Sequence, residues 1–127
     1  MGNKSVKFEM EFDVKSSPGI LYDFLTTPSG LAQWFADDVD INEDECTFSW
    51  EGAEDVAYII DSEENVFVRY RWEYQDEEEY FEFRIGKSEI TRDTILYITD
   101  FAPDYDVEDQ KLLWENQVKM LKQQIGG

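Results

Sequence analysis

The sequence predicts an α+β fold: a curved antiparallel sheet of seven strands, two short helices and a long C-terminal helix that closes the sheet. Three observations predict it. Residues 6–14 alternate strictly between apolar and charged, the period of a half-buried strand. Further short alternating runs, separated by turn signals, fill the stretch from Asp38 to Phe101. From Val107 to Ile125 apolar residues recur instead at helical spacing, the mark of one buried helix face. The arrangement encloses an apolar space between sheet and helix, and residues 1–127 are expected to form one domain.

The first strand, residues 4–15, sets Val6, Phe8, Met10, Phe12 and Val14 on one face against Lys7, Glu9, Glu11 and Asp13. Ser16-Ser17-Pro18 then supplies a hydroxyl cap followed by proline at the first helical position. Ile20, Leu21, Phe24 and Leu25 repeat at helical spacing until Thr27-Pro28-Ser29-Gly30 interrupts them. Ser29 is expected to cap a second short helix, Leu31 to Phe35.

The strands follow. Val39 and Ile41 alternate with Asp38, Asp40 and Asn42; Cys46, Phe48 and Trp50 alternate with Thr47, Ser49 and Glu51. After a turn at Glu51-Gly52-Ala53, Val56, Tyr58 and Ile60 are assigned to the inner face. Asp61 to Asn65 reads as a turn, leading to Val66, Val68, Tyr70, Trp72 and Tyr74 on one side of a long strand. Gln75 to Glu78 is a charged hairpin tip, Phe81, Phe83 and Ile85 continue the apolar face, and Gly86-Lys87-Ser88 turns. Ile95, Tyr97, Thr99 and Phe101 complete it. Asp106 is placed to cap the last helix, whose stripe is Val107, Trp114, Val118, Leu121 and Ile125, widened by Leu113, Gln117 and Met120. Lys119 and Lys122 lie near its C-terminus, where the helix dipole favours cations, and Gly126-Gly127 ends it.

Composition narrows function mainly by exclusion. Thirty acidic against 11 basic residues give a net charge of −19. Such a field repels phosphate backbones and anionic headgroups, so neither nucleic acid nor stable membrane association is expected. The charge keeps an aromatic-rich domain soluble, and it is also compatible with a basic protein partner. There is no histidine, which removes imidazole-based triads, proton shuttles and most transition-metal sites. Cys46 is the only cysteine; its alternation with Phe48 and Trp50 makes it a small core residue rather than a nucleophile. Neither a signal peptide nor a span is read, and a cytoplasmic, prokaryotic address is expected. Met1-Gly2 opens a myristoylation pattern that fails at Val6, and the sequon at Asn3-Lys4-Ser5 is disregarded for want of a secretion signal.

Ser17-Pro18, Thr27-Pro28 and Trp34-Phe35, together with Trp114 on the closing helix and the order of elements, resemble the START-like (SRPBCC) helix-grip superfamily. Residues 16–35 look most like its branch of heat-shock-protein ATPase activator homologues, while the topological likeness spans nearly the whole chain. The resemblance implies an apolar pocket between sheet and final helix that takes lipids, polyketides or hormones or, in other members, protein clients. The glycine-rich loop of the plant members is missing, since residues 42–54 hold only Gly52; the ligand habits of those members are not carried over.

The sharpest functional candidate is the aromatic inner face. The expected ligand-binding residues are Phe12, Phe48, Trp50, Tyr58, Tyr70, Trp72, Phe83, Tyr97 and Trp114, with Phe8 and Phe81 beside them. Binding pockets are lined by such rings with a few polar handles, here the hydroxyls of Tyr58, Tyr70 and Tyr97. Equally, the rings could simply fill the space, since burying them stabilises the domain with or without a ligand. Residues 28–35 and nearby turns would gate entry. Arg69, Arg71 and Arg84 fall on the opposite face, where pairing with acids is the plainer reading than an anion site. Asp38-x-Asp40-x-Asn42 lacks the glycine and glutamate of a calcium loop, having Glu43 and Ser49 there. Asp76-Glu77-Glu78-Glu79 reads as a solvated tip. No catalytic set, metal or cofactor is expected. The reading is non-catalytic binding of an apolar or amphipathic, lipid-like small molecule, with an acidic, co-chaperone-like interaction module as the alternative and a polyketide cyclase-like enzyme as the weaker one.

Overall fold

The computed structural model describes residues 5–126. The myristoylation pattern at Met1-Gly2, residues 3 and 4 of the sequon, residue 4 of the first expected strand, and Gly127 lie outside them.

The described chain runs β1 (Ser5–Val14), α1 (Pro18–Thr26), α2 (Pro28–Leu31), β2 (Asp38–Asn42), β3 (Glu45–Trp50), β4 (Ala53–Glu63), β5 (Phe67–Trp72), β6 (Phe81–Lys87), β7 (Thr94–Pro103), a 3₁₀ turn (Asp104–Asp106) and α3 (Val107–Ile125). Seven strands form one antiparallel sheet in the order β1-β7-β6-β5-β4-β3-β2. β2 to β7 is therefore a meander, and β1 closes it from the N-terminal side. Consecutive strands joined by short turns pair at little loop-closure cost, which is why so many turn signals translate into neighbours. At the β3–β4 turn Glu51 and Gly52 both take positive φ, 50° and 88°, the conformation that suits the twist of a tight hairpin.

The register decides which side chains face the helices. Phe8, Phe12 and Val14 of β1 pair with Asp100, Leu96 and Thr94 of β7. Phe83 and Ile85 of β6 pair with Ile98 and Leu96. Leu96, Ile98, Asp100 and Ala102 thus face inward, and Ile95, Tyr97, Thr99 and Phe101 face outward. The inner-face assignment for this strand is corrected by one residue. β4 is corrected in the same way: Cys46 pairs with Ala57 and Trp72 also pairs with Ala57, so Ala57 and Ile59 face inward while Val56 and Tyr58 face out. A one-residue slip exchanges the two faces of a strand completely. Both strands carry apolar residues on both faces, so alternation alone does not fix their phase. A register shift between Ile59 and Asp61 in β4 lets Ile60 bulge outward.

Three further expectations change at the helices. α2 starts one turn early, capped by Thr27 rather than Ser29: the Thr27 hydroxyl accepts from the Gly30 N–H at 3.0 Å. Asp106 stands at the N-cap of α3 without making a side-chain cap bond. On α3, Trp114, Val118 and Leu121 are buried, but Leu113 and Met120 are 55% and 46% exposed. β5 ends at Trp72, leaving Tyr74 outside the sheet and exposed.

α1 is anchored through its last turn, where backbone carbonyls have no partners within the helix. Phe24 O accepts from Trp34 Nε1 at 2.8 Å, and Leu25 O accepts from the Tyr70 hydroxyl at 2.6 Å. Thr26 and Thr27 hydroxyls donate to Tyr22 O and Asp23 O at 2.8 and 2.7 Å. An indole and a phenol are thus spent on closing a helix end, which fixes α1 and α2 across the mouth of the sheet.

Candidate functional site

α3 lies against β1 and β7, so its other flank stands off from β3. The segment after α2 enters this gap and delivers Phe35 to the centre of the aromatic face. The Phe35 ring lies near-parallel to those of Trp72, Phe81 and Trp114, with centroids at 6.4, 5.8 and 5.9 Å. It meets Phe48, Trp50 and Phe83 edge-on at 5.0, 5.6 and 6.1 Å. These are the offset and edge-to-face geometries that ring quadrupoles favour. The space behind α3 is therefore filled here, and its central filler is a residue of the α2–β2 segment rather than of the sheet.

The main chain of Phe35 is held at two points. Its carbonyl accepts from Trp50 Nε1 at 2.9 Å and from Gln117 Nε2 at 3.0 Å. Those donors come from β3 and α3, so one carbonyl ties the segment to both walls of the gap. Outside it the gap opens to solvent. A depression of about 480 Å³ is lined by Trp50, Leu113, Asn116, Gln117 and Met120. An adjoining one of about 320 Å³ shares Trp50, Gln117 and Met120 and reaches Trp34 and Phe35. The exposure of Leu113 and Met120 places apolar surface at this rim, beside a half-buried indole.

The expected ligand-binding residues separate into two groups. Phe48, Tyr70, Phe83 and Trp114 are buried together on the inner face, with Trp50 half-buried at the gap and Trp72 half-buried beside it, lining a separate depression with Tyr74 and Asp100. Phe12 is half-buried on the inner face of β1, under the ammonium of Lys122 at 6.0 Å from its ring centroid. Tyr58 and Tyr97 are not in this site. Tyr58 is 37% exposed on the outer face and donates to Glu73 Oε2 at 3.2 Å. Tyr97 lies across Gly86 on the same outer face, close enough that a Cβ at Gly86 would meet its ring at 2.7 Å. Of the three expected phenolic handles only Tyr70 points inward, and its hydroxyl is engaged by Leu25, with burial pushing its pKa well above the ordinary value. Phe35, Gln117 and Met120 are absent from the expected ligand-binding set; the Trp34-Phe35 pair ending a broken helix is the trace of Phe35 in the sequence, and the widened stripe of the last helix is that of Gln117 and Met120.

One carboxylate sits inside. Asp100, 8% exposed, accepts from Trp114 Nε1 at 2.9 Å and from the Phe101 N–H at 2.8 Å. Burial raises its pKa from 3.8 to about 6, the two hydrogen bonds pulling down and the Glu79 charge pushing up. Cys46 is buried, and burial with the Asp44 and Glu45 charges pushes its thiol up to about 12, so no thiolate forms at neutral pH.

On the outer face Glu82 receives Arg69 at 2.7 Å and Arg84 at 3.3 Å, while Arg71 donates to the carbonyls of Glu79 and Glu77. The arginines also cover Tyr80 and Phe67, at 4.2 and 4.5 Å to the ring centroids. Asp38 and Asp40 face outward with Thr47, Ser49 and Glu54 around an open polar depression. Among the described residues no group of His, Cys, Asp or Glu is arranged to hold a metal ion, and no helix is long and apolar enough to cross a membrane.

Fold and site together define a helix-gripped sheet with an aromatic interior. A family model described as a START-like superfamily domain matches residues 1–127, and the chain belongs to that superfamily. Its members bind hydrophobic ligands or act as cyclases or co-chaperones. Among solved structures, the protein BfR322 from Bacteroides fragilis is 32% identical, with a TM-score of 0.65 over 100% of this chain and 94% of that one. The Aha1 dimer from Colwellia psychrerythraea matches at 19% identity and TM-score 0.78, over 94% and 96%. CalU16 from Micromonospora echinospora matches at 18% and 0.66, over 97% and 74%. The last two likenesses concern the fold alone. No curated protein matches the chain.

Proposed function

We propose that this protein binds an uncharged apolar or amphipathic small molecule, without turnover, in the gap between β3 and α3. The observation that carries the reading is the apolar rim of Trp50, Leu113 and Met120 opening directly above Phe35 and the ring cluster. Apolar surface left in water is a standing cost that a guest would relieve, at about 25 cal/mol for each Å² covered. Gln117 and Asn116 supply amide groups at the rim for orientation. Of the expected residues, Phe48, Trp50, Tyr70, Trp72, Phe83 and Trp114 form the bed; Phe12 lies further along the sheet, and Tyr58 and Tyr97 take no part. Acid–base chemistry is not part of the reading, because the inner-face carboxylate, Asp100, lies outside the lining of both depressions at the rim.

Thermal denaturation with a panel of apolar and amphipathic compounds tests it. A subset should raise the melting temperature, and Leu113→Glu or Met120→Glu, which alter only half-exposed rim positions, should abolish the rise. Tyr58→Phe and Tyr97→Phe should leave it intact. A panel with no active compound, or a rise indifferent to the rim substitutions, contradicts the proposal.

The charge of −19 and the outward carboxylates of Asp38, Asp40 and Glu54 support a second reading, an acidic surface for a basic protein partner. It predicts capture of one such partner at low salt and its loss at high salt; equal capture at both sinks it.

A further inference from the structure

The geometry points to Phe35 as a displaceable plug, whose ring occupies a seat for a flat, uncharged aromatic ring of the ligand. This inference rests on the binding reading above and adds the chemical class of the guest and the residue that yields to it.

The seat has walls of a particular kind. Trp72, Phe81 and Trp114 lie within 16°, 23° and 22° of the plane of the Phe35 ring, and Phe48, Trp50 and Phe83 present edges at 78°, 69° and 82°. A flat ring meets favourable quadrupole contacts on every side of such a box, whereas a flexible chain gains only area. The Asp100 carboxylate stands against these walls, bonded to the Trp114 indole, so an anionic ring would lose its hydration and meet a like charge.

The plug is also built to move alone. Its carbonyl is fastened by Trp50 Nε1 and Gln117 Nε2, which anchors the main chain. The side chain carries no polar group, and the open depression reached by Phe35 lies beside it. Rotation of the ring towards the rim therefore breaks no hydrogen bond; it gives up the ring contacts above, which a flat guest ring would restore, and turns towards Met120. Other large rings of the cluster lack this freedom. Tyr70 is tied through its hydroxyl to Leu25, Trp114 through its indole to Asp100, and Trp34 to Phe24. Phe81 opens β6, paired with Tyr70, and Phe83 lies within it, paired with Val68 and Ile98.

The test titrates wild type and Phe35→Ala with indole, a flat uncharged bicycle, and with decanol, a flexible chain. Binding is followed by calorimetry and by NMR of the Phe35 ring and the Met120 methyl group. The seat predicts that Phe35→Ala binds indole about tenfold tighter than wild type while decanol gains less than about threefold. It also predicts that saturating indole moves the Phe35 ring resonances of wild type away from the shifts imposed by Trp72 and Trp114. A folded Phe35→Ala with no gain for indole, or with equal gains for both probes, overturns the seat. If Phe35→Ala loses its near-ultraviolet tryptophan signal, Phe35→Leu carries the same comparison, and no gain for indole there overturns the seat too. Decanol perturbing Met120 of wild type, with no indole gain in the variant, leaves the binding reading standing and removes only the seat. No response of Met120 to either probe removes both.

Discussion

The hydroxyl of Tyr70 donates to the carbonyl of Leu25 across 2.6 Å, joining the middle of β5 to the last turn of α1 through a fully buried side chain. A helix-end carbonyl that would otherwise lack a partner is satisfied by the sheet it packs on. Tyr70→Phe keeps the ring contacts with Phe81 and Phe48 and removes only this bond. Chemical denaturation should show a loss of about 1–3 kcal/mol, the cost of an orphaned buried acceptor. A loss within error of zero would mean that water takes the place of the hydroxyl.

Asp100 makes stability depend on pH in a direction opposite to that of a salt-bridged acid. Its folded-state pKa of about 6 stands above the ordinary 3.8. The proton-bound form is therefore favoured by folding. The resulting stabilisation is fully present below the ordinary value and is lost as pH rises through about 6. Asp100→Asn keeps an oxygen for Trp114 but carries no charge. Relative to wild type it should gain on the order of 2–3 kcal/mol between about pH 4 and pH 8. The comparison cancels the titration of the other acids, so a difference that does not vary with pH contradicts the assignment.

Gly30 marks the close approach of α2 to α1. A Cβ there would lie 2.5 Å from Asp23 O and 2.7 Å from Phe24 Cα, both backbone atoms. Neither can swing aside, so Gly30→Ala should destabilise by about 1–3 kcal/mol. The same displacement should weaken the bond between Trp34 Nε1 and Phe24 O, visible as a shift of one indole N–H resonance. Full stability in this variant would show that the two helices are free to part.

Much of this was legible in the sequence. Strict alternation fixed the phase of β1, because Lys7, Glu9, Glu11 and Asp13 leave only one face to bury. Ser17-Pro18 marked the start of α1 because its cap is local, and the Ser17 hydroxyl does accept from the Ile20 N–H, at 3.3 Å. β4 and β7 were harder: Val56-Ala57-Tyr58-Ile59-Ile60 and Ile95-Leu96-Tyr97-Ile98 are apolar on both faces, so only pairing chooses the inner one. Tyr58 and Tyr97 were misplaced for that reason. The site itself was half legible. The sheet rings carry a pattern, whereas the placing of Phe35 depends on how a short segment after α2 folds back, and no periodicity records that. Leu113 and Met120 matched a helical stripe and are rim residues only because α3 leans towards β1 and β7.

The most direct measurement uses the methionines. Met120 lies at the rim and Met10 on the inner face of β1, so methyl-labelled protein reports the two regions separately. Titration with an uncharged amphipathic probe such as decanol should move the Met120 methyl resonance along a saturable curve, with Met10 little changed. A Met120 signal unmoved by decanol and by every compound of an apolar panel would contradict a guest site between β3 and α3.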